Sequence, residues 1–229
     1  MEEIPEVFMI QNVIFDMDGL MFDTERLYVR ALEEYVGPET GVSFPRESIL
    51  KTLGSNHADF RRMFPALFGT AIAFDDCYAM IESWMTREME LHGVPVKPGL
   101  YALLDALKAD GVRIALATGT SKPIALDYLR RTDTLKYFDA FAFGDQVAHG
   151  KPNPEIFLLA CRALDAKPEE TAVFEDSVNG LRAAHAGGFF SICVPDLIDP
   201  VSRLDFPPDA VLRTLDEAIP LLRAINRAD

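Results

Sequence analysis

The sequence predicts an α/β protein whose parallel sheet carries helices on both faces, with an all-helical segment inserted near the N-terminal end. Strand-like and helix-like segments alternate from about Leu100 onward, which is the pattern of a parallel sheet flanked by helices. Between Thr24 and Leu91 helical periodicity dominates, with no convincing apolar strand. A short apolar run, residues 12–15, precedes that stretch and is expected to join the later sheet. The helical segment therefore splits one domain.

Each element of the alternating part follows from a local pattern. Leu100, Leu103, Leu104 and Leu107 fall at i, i+3, i+4 and i+7, so they predict a helix with one buried face, which Gly111 ends. Short apolar runs between turn signals predict the strands. In chain order, the remaining predicted elements are a strand at 113–117, a helix at 123–131, a strand at 140–143, a helix at 154–164, a strand at 171–174, a helix at 178–186, a strand at 189–194 and a helix at 215–226.

These elements predict two domains. Residues 1–22 and 95–229 would form a discontinuous, Rossmann-like core, and residues 23–94 would form a helical cap domain. A cluster of proline and glycine at residues 93–99 is suited to a hinge between them. Caps of this kind exclude water and select substrates, so the predicted cap is expected to lie over a site on the core.

The composition excludes several classes of partner. The chain has 229 residues, with 36 acidic and 22 basic side chains, and a formal net charge of −14. Because no basic stripe is available to release counterions, we expect no nucleic acid and no anionic membrane as partner. An anionic substrate would need local cations that reverse the field at its site.

The cysteines and the apolar segments indicate the cellular setting. Cys77, Cys161 and Cys193 lie far apart without a Cys-x-x-Cys pair, so we expect packing residues rather than a disulfide framework or a zinc site. No signal-peptide pattern follows the acidic N-terminus, and no apolar stretch reaches membrane-spanning length. A cytoplasmic location is therefore expected.

A pair of aspartates follows the first predicted strand. Asp16 and Asp18 come directly after residues 12–15, and Gly19 follows them. Side chains alternate along an extended chain, so both carboxylates point the same way before the glycine permits a turn. Burial of adjacent carboxylates is unfavourable unless a cation or a reaction requires them. The pair indicates a metal ion, a nucleophile or both, and a polar turn is the alternative for this segment taken alone.

Three further segments place polar groups just after predicted strands, where open parallel sheets bind ligands. Thr118 and Gly119 lead into a helix N-terminus whose backbone amides could bind an anion, and helix capping by the hydroxyls is the alternative. Lys151 stands between a glycine and a proline, which favours a fixed cation over a solvated one. Glu175 and Asp176, added to the aspartate pair, supply the all-oxygen ligands that Mg²⁺ prefers.

Together these four segments resemble the signature of the haloacid dehalogenase superfamily, which consists mostly of phosphatases with an aspartate nucleophile. The resemblance covers residues 12 to about 215, in the expected order, with a helical cap inserted after the first motif. Residues 15–28, 149–152 and 173–176 look like the pseudouridine-5'-phosphatase and β-phosphoglucomutase-like branch.

The resemblance implies a role for each matched residue. Asp16 would attack phosphorus, and Asp18 would protonate the departing alcohol and then activate the hydrolytic water. Thr118 and the Gly119 amide would hold phosphoryl oxygens, and Lys151 would balance their charge. The implied Mg²⁺ ligands are the Asp16 carboxylate, the Asp18 backbone carbonyl and Asp176, with Glu175 binding directly or through water.

Rival activities of the same fold are disfavoured by particular residues of this chain. Dehalogenases of this fold do not carry the second aspartate, here Asp18. β-Phosphoglucomutases have a histidine where this chain has Tyr28, and a Lys-Gly followed by Ser-Arg where residues 53–57 read Leu-Gly-Ser-Asn-His. A phosphonate hydrolase would need a Schiff-base lysine in the cap, for which Lys51 is the only candidate. A non-catalytic scaffold would have a damaged motif, so hydrolysis is favoured and the mutase is the main alternative.

Residues of the predicted cap should select the leaving group. We expect Tyr28, Gly54, Ser55 and His57 to contact it. The substrate is then a small phosphomonoester, with a nucleotide, pseudouridine phosphate, a sugar phosphate and a polyol phosphate all open.

Overall fold

A six-stranded parallel sheet forms the centre of the molecule, in the strand order β3-β2-β1-β4-β5-β6. The computed structural model describes residues 9–55 and 57–227. Its strands are β1 (Asn12–Phe15), β2 (Arg113–Thr118), β3 (Ala140–Phe143), β4 (Thr171–Glu175), β5 (Phe190–Cys193) and β6 (Ala210–Val211). The α/β, Rossmann-like class predicted from the sequence is confirmed.

Helices cover both faces of the sheet because successive strand residues point to opposite sides. Val13 and Phe15 belong to one apolar cluster and Ile14 belongs to another. The helices are α1 (Thr24–Arg30), α2 (Gly37–Thr40), α3 (Arg46–Ile49), α4 (His57–Phe68), α5 (Phe74–His92), α6 (Leu100–Ala109), α7 (Lys122–Arg131), α8 (Glu155–Ala163), α9 (Val178–Ala186) and α10 (Ala218–Ile225), with a π-helical segment (Ala31–Val36) after α1. The first cluster takes in α6, α7 and α10, and the second takes in α8 and α9.

The strand order determines where a ligand can bind. β1 pairs with β2 on one side and with β4 on the other, and Phe15 lies opposite Leu116 and Phe174. The Phe15 and Phe174 rings stack with their centroids 4.9 Å apart, which fixes the ends of these two strands against each other. Loops after β1, β2 and β4 therefore converge at the carboxyl edge of the sheet.

Helices α1 to α5 form an insertion between β1 and the rest of the sheet, as the sequence predicts. Their apolar side chains pack into a cluster of their own, rich in aromatic rings. Phe60, Phe64 and Phe74 form its centre, with ring centroids 5.1 to 5.7 Å apart. Such pairs add to the stability gained from burial alone. Arg61 and Arg62, on the same helix as Phe60, are exposed.

The chain enters and leaves the helical insertion through two linkers that pair with each other. Phe22 and Val96 form an antiparallel bridge. The backbone amide of Asp23 donates to Pro95 O at 2.9 Å, and that of Lys97 donates to Met21 O at 2.9 Å. These bonds join the two linkers into a short ribbon, which we call the linker ribbon.

An ion cluster fixes the linker ribbon to the core. Lys97 Nζ donates to Asp196 Oδ1 at 2.6 Å, and Arg26 Nη2 lies 3.1 Å from the same oxygen. The Asp196 side chain, in the loop after β5, is 1% exposed. Both the exit linker and α1 of the insertion are therefore tied to one buried carboxylate of the core.

Most predicted elements occur where the sequence places them, with small shifts at their ends. The prediction of a helix at 215–226 is wrong for its first turn, because Leu215–Glu217 is a 3-10 turn and α10 begins at Ala218. The two-residue strand β6 was not predicted, because so short a run has no periodicity to detect. Cys77, Cys161 and Cys193 are free and buried, as expected. No helix in the described part of the chain is long and apolar enough to cross a membrane.

Candidate active site

The polar segments singled out in the sequence meet at the carboxyl ends of β1, β2 and β4. Asp16 directly follows β1, and its amide donates to Phe174 O at 3.1 Å, which continues the β1–β4 ladder by one residue. The Asp16 side chain is buried, with the residue 7% exposed. Thr118 ends β2 and Glu175 ends β4. The register of the parallel sheet thus brings together residues more than 150 positions apart in the chain.

Lys151 is the cation at the centre of this group. Its Nζ donates to Asp16 Oδ1 at 2.6 Å and to Glu175 Oε1 at 2.5 Å. The side chain is 14% exposed, and its Nζ also lies 4.8 Å from the centre of the Phe157 ring. Two buried carboxylates compensate the desolvation of the ammonium, so Lys151 is held between Asp16 and Glu175.

Glu175 is held by hydrogen bonds on both of its oxygens. Its Oε2 accepts from Asp176 N at 3.0 Å, Ser177 N at 2.9 Å and Ser177 Oγ at 2.9 Å, while Oε1 accepts from Lys151. Helix α9 passes so close that a Cβ at Gly180 would lie 1.8 Å from Glu175 Cδ. A glycine is therefore required there, and Glu175 has little freedom to turn toward another ligand.

Three threonine hydroxyls surround the carboxylate of Asp18. Thr24 Oγ1 donates to Asp18 Oδ1 at 2.8 Å, and Thr120 Oγ1 donates to Asp18 Oδ2 at 2.6 Å. Thr118 Oγ1 lies 3.5 Å from Asp18 Oδ2. The alternative of helix capping does not hold for Ser121, the N-cap of α7, whose side chain makes no capping bond. Sequence reasoning missed Thr120, although the Thr-Gly-Thr run after β2 was the signal that could have found it.

Gly119 lies between these hydroxyls at the surface. A Cβ there would meet no atom within 4 Å, so its backbone faces open space where a ligand could approach. Across the turn, a Cβ on Gly144 would lie 2.0 Å from Gly119 O. Gly144 is therefore needed for the loop after β3 to pass the phosphate-binding segment predicted from the sequence.

The acidic residues fit a divalent cation. Asp16, Glu175 and Asp176 offer carboxylate oxygens within 4.8 Å of one another. Asp176 Oδ1 is buried and has no hydrogen-bond partner among the described residues. Burial raises the pKa of Asp16 to about 7, with Glu175 and Asp18 adding to the shift and Lys151 opposing it. The positive charge of Lys151 alone is thus insufficient to balance the negative charge of these acids. Their carboxylate oxygens are hard ligands of the kind that suits Mg²⁺.

Glu25 is an acid of this centre that sequence reasoning missed as a site residue. Its Oε2 is buried without a hydrogen-bond partner in the described part of the chain. A Cβ on Gly19, whose φ is +80°, would lie 2.2 Å from Asp176 Oδ2 and 3.2 Å from Glu25 Cδ. Burial, followed by the charges of Asp196 and Asp18, raises the pKa of Glu25 to about 8. The signal was the acid directly after the Asp-Thr pair that opens α1.

The predicted leaving-group residues occupy two different places in the helical insertion. Tyr28 donates or accepts a hydrogen bond with Thr52 Oγ1 at 2.9 Å, and burial raises its pKa. The His57 ring packs edge-on against Phe74 and Tyr78, with centroids 5.1 and 4.7 Å apart.

The loop between them reaches the core. Gly54 O accepts from Asn179 Nδ2 at 3.2 Å, which joins this loop to the start of α9. Ser55 Oγ donates to Thr52 O within the loop. The structure therefore brings the Gly54 and Ser55 segment beside the acidic centre, while His57 belongs to the aromatic cluster of the insertion.

Fold and site together define a class of enzyme. A parallel sheet in this order, with an aspartate pair after β1, a hydroxyl after β2, a fixed lysine and acids after β4, agrees with the resemblance noted in the sequence. A family model of haloacid dehalogenase-like hydrolases matches residues 10–188. The chain belongs to the haloacid dehalogenase-like hydrolases.

Individual relatives refine that class. The chain is 34% identical to a phosphorylated carbohydrates phosphatase of Thermotoga maritima over 221 residues, which are 92% of this chain and 100% of the relative. It is 32% identical to a probable pseudouridine-5'-phosphatase of Drosophila melanogaster, with 82% of each chain covered. The crystal structure of CbbY from Rhodobacter sphaeroides in complex with phosphate is similar, with a TM-score of 0.73 and 31% identity, over 91% of this chain and 96% of that chain. The branch predicted from the sequence is confirmed.

Proposed function

We propose that the protein is a Mg²⁺-dependent phosphatase that hydrolyses a small phosphomonoester through an aspartyl-phosphate on Asp16. The observation that carries the proposal is the setting of Asp16, a buried carboxylate hydrogen-bonded to Lys151 and adjacent to Asp176 and Asp18. The relatives named as phosphatases of phosphorylated carbohydrates and of pseudouridine 5'-phosphate support the same class of reaction.

The residues divide the work of a two-step displacement. Asp16 Oδ1 accepts from Lys151, and Oδ2 would attack phosphorus, forming the Oδ2–P bond as the bond to the leaving oxygen breaks. Asp18 would give its proton to that oxygen and then take a proton from the water that hydrolyses the aspartyl-phosphate. The hydroxyls of Thr24 and Thr120 orient Asp18 for both transfers. Inorganic phosphate and the free alcohol are the products.

The phosphoryl oxygens and the metal would be held by different residues. Thr118 and the Gly119 amide would donate to them, and Lys151 would balance their charge. Mg²⁺ would be bound by Asp16, Asp176 and the Asp18 backbone carbonyl, and it would neutralise the phosphate dianion that otherwise repels the nucleophile. Both oxygens of Glu175 are already occupied, so we propose that Glu175 contacts the metal through water. Glu25, whose buried oxygen has no hydrogen-bond partner among the described residues, completes the acidic wall.

We also propose that residues 23–94 act as a cap over this site, with residues 1–22 and 95–229 as the catalytic core. The paired linkers at Phe22 and Val96 and the contact between Gly54 and Asn179 support that division. Tyr28, Gly54, Ser55 and His57 would then shape the space for the leaving group. Free buried cysteines suit a reducing cytoplasm.

The mutase alternative is weakened by the residues found in the helical insertion. The position of the mutase histidine is taken by Tyr28, whose hydroxyl is bonded to Thr52, and His57 packs on aromatic rings. Neither presents the charged sugar-phosphate contact that mutases use there. A scaffold without activity is disfavoured because Asp16, Asp18 and Lys151 are all present and in contact range of their partners.

Phosphate release from a panel of phosphomonoesters, including β-glucose 1-phosphate, tests the proposal. We expect release that requires Mg²⁺ and stops with a chelator, and the best member of the panel gives the substrate class. Asp16→Asn is the matched control, since it removes the nucleophile with almost no change in side-chain size, and it should fold normally and release nothing. Normal turnover in that variant would overturn the mechanism. Conversion of β-glucose 1-phosphate to glucose 6-phosphate without release would favour the mutase.

A further inference from the structure

A cavity of about 420 Å³ lies between the helical insertion and the core, at the start of α9. We call it the seam cavity. Lys51, Gly54 and Arg62 line it from the insertion, and Asn179, Arg182 and Arg203 line it from the core. None of Asp16, Asp18, Thr118 or Lys151 is part of its wall. The volume falls within the range of small-molecule sites.

The charge of the seam cavity is opposite to that of the protein. Its wall contains four basic side chains, Lys51, Arg62, Arg182 and Arg203, and one acid, Asp59. The whole chain has 36 acids and only 22 basic residues, so an arbitrary patch of its surface would be acidic. A concave surface with excess positive charge attracts anions because its walls concentrate the field.

Most of these cations have no acidic partner in the part of the chain that the structure describes. Asp59 Oδ1 pairs with Arg62 Nη2 at 2.8 Å. Within residues 9–55 and 57–227, Lys51, Arg182 and Arg203 form no ion pair. Arg182 Nη2 instead donates to the backbone oxygen of Arg203 at 3.3 Å, which holds the two core arginines on the same wall.

The arrangement spans the contact between the two parts of the chain. Gly54 O accepts from Asn179 Nδ2, and a Cβ on Gly54 would lie 3.0 Å from Ser177 Cβ. Lys51 and Arg62 therefore stand on one side of a close contact, and the core arginines stand on the other. Like charges across such a gap repel, and an anion between them would turn the repulsion into attraction.

We propose that the seam cavity binds a phosphate-class oxyanion between the cations of the insertion and those of the core, and that the bound anion holds the insertion against the core. Guanidinium groups suit this ligand because their N–H donors match phosphate oxygens in pairs. The anion is either free in solution or a second phosphate group of the substrate. The second source rests on the phosphatase activity proposed above, whereas the first does not.

Sulfate binding to the intact Mg²⁺-loaded protein tests the site, with titration calorimetry as the measurement. Arg182→Gln/Arg203→Gln removes the core side of the cavity, and we expect the sulfate site there to weaken by at least about tenfold. The matched control is Arg130→Gln/Arg162→Gln, which removes the same charge from two exposed arginines on α7 and α8. Unchanged sulfate binding in the first variant, or an equal loss in the control, would overturn the proposal.

A second variant, on the insertion side of the cavity, shows whether the effect of the core substitutions comes from lost anion binding or from a local change in the core. Lys51→Gln/Arg62→Gln should weaken sulfate binding in the same way. Sulfate should also slow hydrogen exchange of residues 51–63 in the wild type and in the control, but not in either cavity variant. Sulfate binding that leaves this exchange unchanged would overturn the closing role.

Kinetics with paired substrates then identify the source of the anion. A sugar bisphosphate with a lower KM than the matching monophosphate, an advantage that Arg182→Gln/Arg203→Gln abolishes, assigns the cavity to the substrate's second phosphate. Equal KM values, together with loss of sulfate binding in the same variant, assign it to a free anion. If no ester is hydrolysed at all, the proposed function fails while the sulfate measurement still decides the site.

Discussion

Lys151 carries the electrostatic balance of the acidic centre. It is the cation that contacts Asp16 and Glu175, and the acids Asp16, Glu175 and Asp176 are buried at the carboxyl ends of β1 and β4. Breaking a buried ion pair is more harmful than losing a surface one, because it leaves an uncompensated charge. We therefore expect the same side chain to matter for the stability of the site and for binding of phosphate.

Lys151→Ala should lower kcat/KM far more than Lys122→Ala does. Removal of a fixed cation from a buried site reduces catalysis by about 100-fold or more. Lys122, by contrast, is exposed at the start of α7, where its Nζ is 6.0 Å from the Phe143 ring centre. Its loss should change the rate by less than about threefold. Steady-state kinetics of both variants, with circular dichroism to verify folding, make the comparison. Equal losses would mean that Lys151 is not the cation on the phosphate side.

The metal-free protein should lose stability as pH rises toward neutrality, through Asp16. Burial raises the pKa of this group from 3.8 to about 7 in the folded state. The folded protein therefore binds more protons than the unfolded chain between about pH 4 and pH 7, and stability falls as pH rises through that window. Adding Mg²⁺ at pH 8 should restore it, because the ion binds only the folded carboxylates.

Thermal unfolding with chelator at pH 5 and pH 8 measures this effect. Asp16→Asn is the control, since its amide does not titrate, and the stability of the wild type relative to this variant should fall from pH 5 to pH 8. A relative stability that rises over the same interval would contradict the raised pKa.

Among the elements, the linker ribbon connects the helical insertion to the sheet. Its backbone bonds between Asp23 and Pro95 and between Lys97 and Met21 are short and regular. The ion cluster around Asp196 adds a side-chain tie from the core to both the ribbon and α1. Asp196 is therefore a tie between the helical insertion and the core.

Lys97→Met should destabilise the protein by about 3 kcal/mol, because it leaves the buried Asp196 with Arg26 as its remaining cation. Lys108→Met is the matched control. Its partner Asp139 lies 2.8 Å away, with side chains 35% and 40% exposed, so the change should be below about 1 kcal/mol. Urea denaturation of both variants gives the two free energies. Equal destabilisation would show that the Asp196 cluster is not a structural tie.

At the level of the whole molecule, the active-site chemistry is expected on the sheet and the choice of substrate on the helical insertion. The core supplies Asp16 after β1, Asp176 after β4 and Lys151 in the loop between β3 and α8. The insertion supplies Tyr28 and Gly54. The two ends of the insertion lie next to each other, with Asp23 N and Pro95 O 2.9 Å apart. A short linker could therefore join them without disturbing the sheet.

Replacing residues 24–94 by a short Gly-Ser linker should leave a folded core that binds Mg²⁺ but hydrolyses its substrates slowly and with little preference. The reason is that water enters the uncovered site and no residue contacts the leaving group. The shortened chain should also be less stable, because it lacks Leu27 and Met89, which pack in the core cluster. Rate ratios across the ester panel, for this chain and for the full one, provide the measurement. Undiminished selectivity of the shortened chain would place the choice of substrate on the core.

Local patterns were sufficient for much of the fold. β3 and α9 have the bounds that apolar runs and helical periodicity predict, because burial on the sheet or on one helix face imposes those patterns directly. The 3-10 turn at Leu215–Glu217 and the two-residue β6 depend on contacts with distant residues, so no local pattern shows them.

The sequence by itself determined the class of the protein and the acidic residues that follow β1 and β4, because short strand ends with glycine turns place such groups at a sheet edge. Only the tertiary structure decided which residues meet there. The Thr120 hydroxyl donates to Asp18, and Glu25 lies near Asp176 beside Gly19. Both contacts depend on how the loops and α1 pack. The cations on the two walls of the seam cavity lie more than 100 residues apart in the chain. Their proximity is a property of packing, which no spacing in the sequence encodes.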